Sequence, residues 1–459
     1  MFTESMTAAF YDAEDEKYRS FWDPAGSLHW GVFEHESDTF IAACERHDRA
    51  LLAEARIDTK SRVLDLGCGN GTTSAWLAAQ TGAEVVGVDL STARVANARR
   101  LAQRLGSARL RFEVGSATAL PFEADQFTHV FSQAVLYHTH DRPRALAEAA
   151  RVLEPGGLLV FDDLITPRQP VGLLARRYVY DRLLFEPTFS QAGYVAALEQ
   201  AGFVVLVSRD LSRHLARSYE ALAVMAEPEH PELSHAYRHI PEVVRSGEVG
   251  WASFVAQKVD DRLAWIYDTS DARFSLAQKY DAWASRYDED LRESYAASPR
   301  LVAELAARHL PPGASILDAG AGTGLVGEAL RQRGFTQLTA LDQSAGVLAR
   351  AAAKQVYTEL VQGTLEQTPS LFPNAAFDAV AAVGVFTFGH APPSALGPLL
   401  SALKLGGLLL LAVRADYFAQ VLAPAETLQQ LGLKQLESRN YEIFDGEPML
   451  ALVLEKTLA

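Results

Sequence analysis

Apolar and polar positions along this chain fall into two long series with the same order of period changes. In the first, short apolar runs predict strands at 62–66, 84–88, 110–114, 128–132 and 157–162, and helical spacing predicts helices at 71–81, 92–105 and 143–153 between them. Such alternation predicts a mostly parallel sheet with helices on both faces. A helix-rich insertion over 164–202, with helices from Leu174 to Leu184 and from Gln191 to Gln200, precedes a strand at 203–207. A mostly helical stretch at about 211–246 leads to a closing strand, Gly250 to Lys258. The second series starts at Ser315 and closes with strands at about 435–440 and 448–455, with no long insertion. A helical, aromatic-rich segment leads each series. Residues 1–60 hold Phe21-Trp22 and Leu28-His29-Trp30-Gly31-Val32-Phe33; residues 260–299 hold Tyr280-Asp281-Ala282-Trp283-Ala284 and Tyr287-Asp288. The pattern predicts two α/β domains, 1–260 and 261–459.

The two series share landmarks. Val63-Leu64-Asp65-Leu66-Gly67-Cys68-Gly69-Asn70-Gly71 has its counterpart 253 positions on, in Ile316-Leu317-Asp318-Ala319-Gly320-Ala321-Gly322-Thr323-Gly324. In both, an acid ends the next apolar run 24 positions after the loop's Asp: Asp89 and Asp342. Phe127 and Phe377 open a later strand, and Pro155-Gly156-Gly157 and Leu405-Gly406-Gly407 precede strongly apolar runs. A period this long marks a duplicated or fused domain, since solenoids repeat every ~20–50 residues.

Composition narrows the partners. A net charge of −15 argues against a broad phosphate-backbone footprint, so nucleic acid is not an expected partner. No apolar run reaches the roughly 18 residues of a membrane span, and the opening Met-Phe-Thr-Glu-Ser-Met-Thr lacks the pattern of a signal peptide. Cys44 and Cys68 make neither a disulfide framework nor a metal site. They fit a reducing cytoplasm, the expected location.

The glycines allow a tight strand-to-helix turn and let backbone N–H groups approach a ligand. An acid at the end of the second strand can accept both hydroxyls of a ribose. A dinucleotide fingerprint would read Gly-x-Gly-x-x-Gly, without an Asp two residues before the first glycine.

This combination resembles the class I S-adenosylmethionine-dependent methyltransferases, in both halves. The resemblance implies an α/β, Rossmann-like, mostly parallel seven-stranded sheet in each half. It also implies one S-adenosyl-L-methionine per domain, released as S-adenosyl-L-homocysteine. By the same resemblance Gly67, Gly69, Gly71 and Gly320, Gly322, Gly324 line the methionine part of the cofactor, and Asp65 and Asp318 sit behind the loop and engage its amino group through backbone or water. Asp89 and Asp342 hold the ribose, with Leu90 and Gln343 against the adenine. Gln133 and Val383, at the fourth-strand ends, belong to the same set. Where the family often carries an Asp near the adenine amino group, this chain has Ser116-Ala117 and Thr364-Leu365. The first half is most similar to small-molecule N-methyltransferases of the glycine, sarcosine and phosphoethanolamine type, and also to tocopherol- and sterol-type C-methyltransferases. Leu28-His29-Trp30-Gly31, Ser132-Gln133 and the helical cap carry that likeness. The second half is similar to small, poorly characterised methyltransferases, through Tyr280 to Ala284 and Val383-Gly384-Val385-Phe386-Thr387-Phe388-Gly389-His390.

Methyl transfer from a sulfonium is an in-line displacement, so catalysis is largely positioning, with the acceptor about 3 Å from the methyl carbon. An amine acceptor must first be neutral, which a nearby base assists. No metal is required, and no ligand cluster in the sequence demands one. Catalytic candidates are His29, Tyr137 and His138 in the first half and Tyr287 and His390 in the second. His138 either takes a proton or caps the following helix. Trp30 and Phe33 form a lid wall in preference to a cation–π cage. Arg176, Arg177, Tyr178 and Tyr180 either bind a substrate carboxylate or phosphate or form a solvated face. Tyr280, Trp283 and Tyr287 line a pocket or form a packing stripe. The expected activity is methylation of a small soluble metabolite, at nitrogen, in successive or different steps. The alternatives are carbon or oxygen methylation of a natural product, or one catalytic domain joined to a regulatory cofactor-binding one.

Overall fold

The computed structural model describes residues 2–22, 27–268, 274–293, 295–422, 425–444 and 446–458. The chain divides into two units, Met1–Asp260 and Asp261–Ala459. In the first, seven apolar runs become β1 (Arg62–Leu66), β2 (Glu84–Asp89), β3 (Leu110–Val114), β4 (Phe127–Gln133), β5 (Leu153–Ile165), β6 (Phe203–Asp210) and β7 (Gly250–Lys258). They lie in the order β3-β2-β1-β4-β5-β7-β6, with β7 antiparallel between β5 and β6 and the first five strands parallel. The inner strands are buried along nearly their whole length, as a sheet covered on both faces requires.

The second unit repeats this order. Its strands are β8 (Ser315–Ala319), β9 (Gln337–Asp342), β10 (Glu359–Gln362), β11 (Phe377–Val383), β12 (Leu403–Arg414), β13 (Leu433–Ile443) and β14 (Glu447–Lys456), in the order β10-β9-β8-β11-β12-β14-β13. Even the irregularities recur. The β4–β5 register shifts between Phe127 and His129, and the β11–β12 register between Phe377 and Ala379. Both shifts lie opposite the paired glycines, so Pro155-Gly156-Gly157 falls within a strand and not before it. That extends β5 back to Leu153.

Local chemistry sets the helix starts. Ser91 and Ser344 accept from the backbone N–H three residues on and cap the helices Thr92–Leu105 and Ala345–Ala353. The expected helix from Leu174 to Leu184 is instead one turn, Leu173–Ala175, followed by a wide turn, Arg176–Tyr180. The wide turn buries the adjacent Val179 and Tyr180. Two helices, Ser212–Ala226 and Pro231–Arg245, fill the β6–β7 connection, where the second unit has a short turn. Together with the N-terminal segment they form an aromatic cluster that buries Trp22, Trp30, Phe33, Tyr219, Tyr237 and Trp251. Trp30 and Phe33 are therefore core residues and not lid walls.

Candidate active sites

In each unit the sheet order reverses between the loop-bearing strand and its neighbour, β1 and β4 or β8 and β11. The crevice at that reversal, beyond the carboxyl ends of the strands, is where such sheets bind ligands. In the first unit Gly67, Gly69 and Gly71 have φ of +78°, +50° and +80°; in the second Gly320, Gly322 and Gly324 have +77°, +54° and +91°. The Gly67 and Cys68 amides donate to Val88 O at 2.8 and 3.0 Å, and the Gly320 and Ala321 amides to Leu341 O at 2.8 and 3.0 Å. Asp89 accepts from the Gly69 amide at 2.9 Å and the Ser91 amide at 2.8 Å. Asp342 does the same with Gly322 and Ser344, both at 2.9 Å. Each carboxylate thus ties the loop to the next helix and keeps lone pairs for a ligand.

The three glycines of a loop do different work. A Cβ on Gly322 would meet nothing within 4 Å, and one on Gly69 only an Arg94 guanidinium nitrogen at 3.8 Å. That open space is the cradle. Gly67 and Gly320 sit under Val135 and Val385, which a Cβ would strike at 2.3 and 2.4 Å. Gly71 and Gly324 do not line the crevice. They begin helices and admit Ala98 with Phe112, and Tyr357 with Ala351.

The first cavity has a volume of about 110 Å³; Asp65, Asp89, Leu90, Ala117 and Gln133 are among its walls. Ser116 is turned away, donating to Glu4 at 2.7 Å. Glu4 itself lines the cavity and puts a carboxylate at the end where Ser116-Ala117 had left none. The second cavity is about 320 Å³ and is walled by Asp342, Gln343, Thr364, Leu365, Val383, Tyr287 and His390, together with Glu366. Asp65 and Asp318 are buried behind the loops. Burial raises each carboxyl to about 7, against a hydrogen bond from Ser74 to Asp65 and from Tyr357, at 2.6 Å, to Asp318. Asp318 Oδ1 is buried with no hydrogen-bond partner. Asp65 is among the first cavity's walls, whereas Asp318 is not among the second's; a diol fits Asp89 and Asp342.

A helix covers each crevice, and the sequence reading missed what it brings. Tyr11-Asp12 lies on the helix Glu4–Phe21, and Tyr280-Asp281 on the helix Leu276–Trp283. Asp12 accepts from the Ser91 hydroxyl and Asp281 from the Ser344 hydroxyl. Tyr11 Oη lies 2.6 Å from His138 Nε2, and Tyr280 Oη 2.8 Å from His390 Nε2. Asp15 further accepts from Asn70 at 2.8 Å and Arg94 at 2.9 Å, and Asp288 accepts from Thr323. The signal was in the sequence, since Tyr-Asp-Ala occurs at 11–13 and again at 280–282.

Burial, with Arg94 and Arg142, lowers His138 to about 3; burial lowers His390 too. Burial also raises Tyr11 to about 12, and raises Tyr280. In both pairs the tyrosine therefore donates and a neutral imidazole accepts. His29 behaves otherwise. Burial pulls its imidazole down, but Asp48 at 3.4 Å, with Cys44 and Asp162, outweighs this and holds it well above the ordinary histidine value. Gln133 donates to the same Asp48 at 2.9 Å. His29 stands on the cavity wall with Nδ1 against Trp30 O at 3.2 Å and Nε2 toward Asp48, so both ring nitrogens are occupied within the protein.

Other candidates lie elsewhere. Tyr137 is buried outside the cavity, its hydroxyl 3.5 Å from that of Tyr11. Arg176 pairs with Glu186 at 2.9 Å, Tyr178 stacks on His239, and Tyr180 is buried against Thr166 and Glu248. Trp283 is buried, donating to Asp290 at 2.7 Å.

The sequence profile of the methyltransferase domain matches residues 64–161 and 317–411. The chain is 39% identical over 169 residues to methyltransferase-like protein 27 of Homo sapiens, covering 34% of this chain and 69% of that one. It is 28% identical over 233 residues to a glycine/sarcosine/dimethylglycine N-methyltransferase of Actinopolyspora halophila, covering 49% and 40%. Relatives named for oxygen and for carbon methylation occur at similar identity. Among solved structures, the cyclopropane synthase MmaA2 of Mycobacterium tuberculosis shares the fold, with a TM-score of 0.50 at 21% identity over 56% of this chain and 99% of that chain.

Proposed function

The chain belongs to the S-adenosylmethionine-dependent methyltransferases and carries two methyltransferase domains; from that premise we propose that each domain binds one cofactor and methylates a small metabolite at nitrogen, in successive or separate steps. One observation carries the two-site reading. Both units hold the same set: an open glycine cradle, a carboxylate tied to its middle amide, and a Tyr–His pair on the crevice wall. The N-methyltransferase relative supports nitrogen as the acceptor atom.

When bound, S-adenosylmethionine supplies an electrophilic methyl carbon on a sulfonium. The chain's own residues do the rest. Asp89 and Asp342 hold the ribose, Asp65 and Asp318 engage the ammonium group through backbone or water, and Glu4 and Glu366 face the adenine end. The Tyr11 and Tyr280 hydroxyls, each donating to a neutral imidazole, keep an oxygen lone pair that accepts an N–H of the amine acceptor. The acceptor reacts as its neutral amine, with the nitrogen lone pair free. The amine's alignment by Tyr11 or Tyr280 supplies the positioning on which the rate depends.

Isothermal titration with S-adenosylhomocysteine tests the reading. The expected stoichiometry is near two per chain, and a value near one overturns it. Gly69→Arg and Gly322→Arg fill one cradle each, and each is expected to remove one binding event and one methylation. Circular dichroism confirms that the variants are folded.

A further inference from the structure

The second unit has a smaller chamber of about 30 Å³ beside its crevice, sharing Tyr280, Tyr287, Tyr295 and Gly384 with the larger cavity. Rings dominate it. Tyr280 and Tyr287 have centroids 6.1 Å apart, Tyr295 stacks on Phe444 at 6.3 Å, and Tyr267 packs against His390 at 4.9 Å. Gly384 has φ of +69°, and a Cβ there would lie 2.1 Å from the Tyr295 hydroxyl, so only glycine lets that tyrosine reach the end of β11. Tyr267 is 40% exposed and stands at the rim.

Arg414 and Glu447 are the charged residues in these walls among the described residues. Arg414 is the chamber's one arginine, and it is already held by two carboxylates, Glu447 at 2.7 Å and Asp416 at 2.9 Å. Of those two, Glu447 also lines the chamber. Asp342 and Asp288 raise the tyrosine hydroxyls further, in the direction of their burial. The first unit's aromatic cluster differs, because it carries a cation of its own. Arg182 lies 5.0 Å from the Tyr237 ring centre and donates to Tyr178 O at 3.0 Å, with no carboxylate within ion-pair distance among the described residues.

We propose that this chamber receives the ammonium head of a small organic cation, the amine acceptor of the second domain. The inference rests on the two-site transferase reading and adds the acceptor's class and seat. Aromatic faces attract a cation through their quadrupoles, the more so when water is excluded. The chamber is small, so the head it receives is small, of the order of a methylated amine. The crevice beyond Gly384 is shared, so the head and the cofactor cavity meet at the same strand end.

The test uses the full chain, titrated calorimetrically with choline and with its uncharged carbon isostere, 3,3-dimethylbutan-1-ol, with and without saturating S-adenosylhomocysteine. Choline is expected to bind about ten-fold more tightly than the isostere, within the range of desolvated cation–π contacts. Tyr267→Leu and Phe444→Leu touch the chamber but not the larger cavity, and are expected to remove most of that preference while leaving S-adenosylhomocysteine affinity unchanged. Tyr267→Phe keeps a ring and should retain it. Equal binding of choline and the isostere to the cofactor-loaded protein overturns the cation seat, as does a preference that survives both leucine substitutions. A choline preference with only one S-adenosylhomocysteine site per chain would uphold the seat and overturn the two-site reading.

Discussion

Asp65 and Asp318 show how much one buried carboxyl can report. Burial raises each to about 7, above the roughly 3.9 of an unfolded aspartate. A folded-state pKa above the unfolded one gives stability that is complete below about pH 4 and lost as pH rises through 7. The unliganded protein is therefore expected to lose stability from these groups between pH 5 and pH 8. Asp65→Asn and Asp318→Asn should flatten that part of the profile, each by about 1–4 kcal/mol, as read by denaturant melts at both pH values. A bound ammonium would reverse the effect by favouring the carboxylate. Binding of S-adenosylhomocysteine at pH 6.5 should then release protons, measured by calorimetry in two buffers of different ionisation enthalpy. Release of none would remove these residues from the ammonium site. The spacing made the acids and glycines legible, because it is fixed by the turn itself. It hid the difference between Gly69, which faces open space, and Gly71, which faces Ala98, because packing from a distant helix decides that. It also hid the charge on His29, which depends on Asp48, one helix away in sequence.

At the scale of elements, the covering helices are the feature with the clearest consequence. Each is fixed to its crevice by a carboxylate on a helix-capping serine and a tyrosine on a histidine. Tyr11→Phe should weaken the hold of the first helix and speed S-adenosylhomocysteine release from that site alone. Tyr280→Phe should do the same for the second. Loss of one hydrogen bond, about 0.5–1.5 kcal/mol, corresponds to a rise of roughly two- to ten-fold in the release rate, which stopped-flow displacement would measure. Equal acceleration at both sites from either change would contradict the assignment. The Tyr-Asp-Ala repeat went unnoticed for a physical reason. Tyr11 precedes Gly67 by 56 positions and Tyr280 precedes Gly320 by 40, so the repeat falls out of register with the glycine loops.

For the whole molecule, the duplicated series was enough to foresee two α/β domains with mostly parallel sheets, because buried parallel strands read as continuous apolar runs, while the count of seven strands came from the family resemblance. It could not show which connections carry the bulk. The aromatic cluster of the first unit joins segments far apart in sequence, from Tyr18 to Trp251. Each buried cluster lies within one unit. Leu64→Ala and Leu317→Ala, both at fully buried positions, are therefore expected to destabilise different transitions in a calorimetric scan, each by about 2–5 kcal/mol. A shift of both transitions by either substitution would contradict separate cores.

The place of β7 bears on how the first unit is made. It is the last strand of that unit in sequence, yet it lies inside the sheet, between β5 and β6. On a ribosome adding about 5–20 residues per second, the helices Ser212–Ala226 and Pro231–Arg245 must be synthesised while β5 still has an open, apolar edge. In the second unit β13 and β14 follow one another across a short turn, so the corresponding gap closes almost as soon as it is made. A nascent chain stalled before Gly250 would thus present an unpaired β5 edge to its neighbours, the template from which intermolecular strand pairing starts.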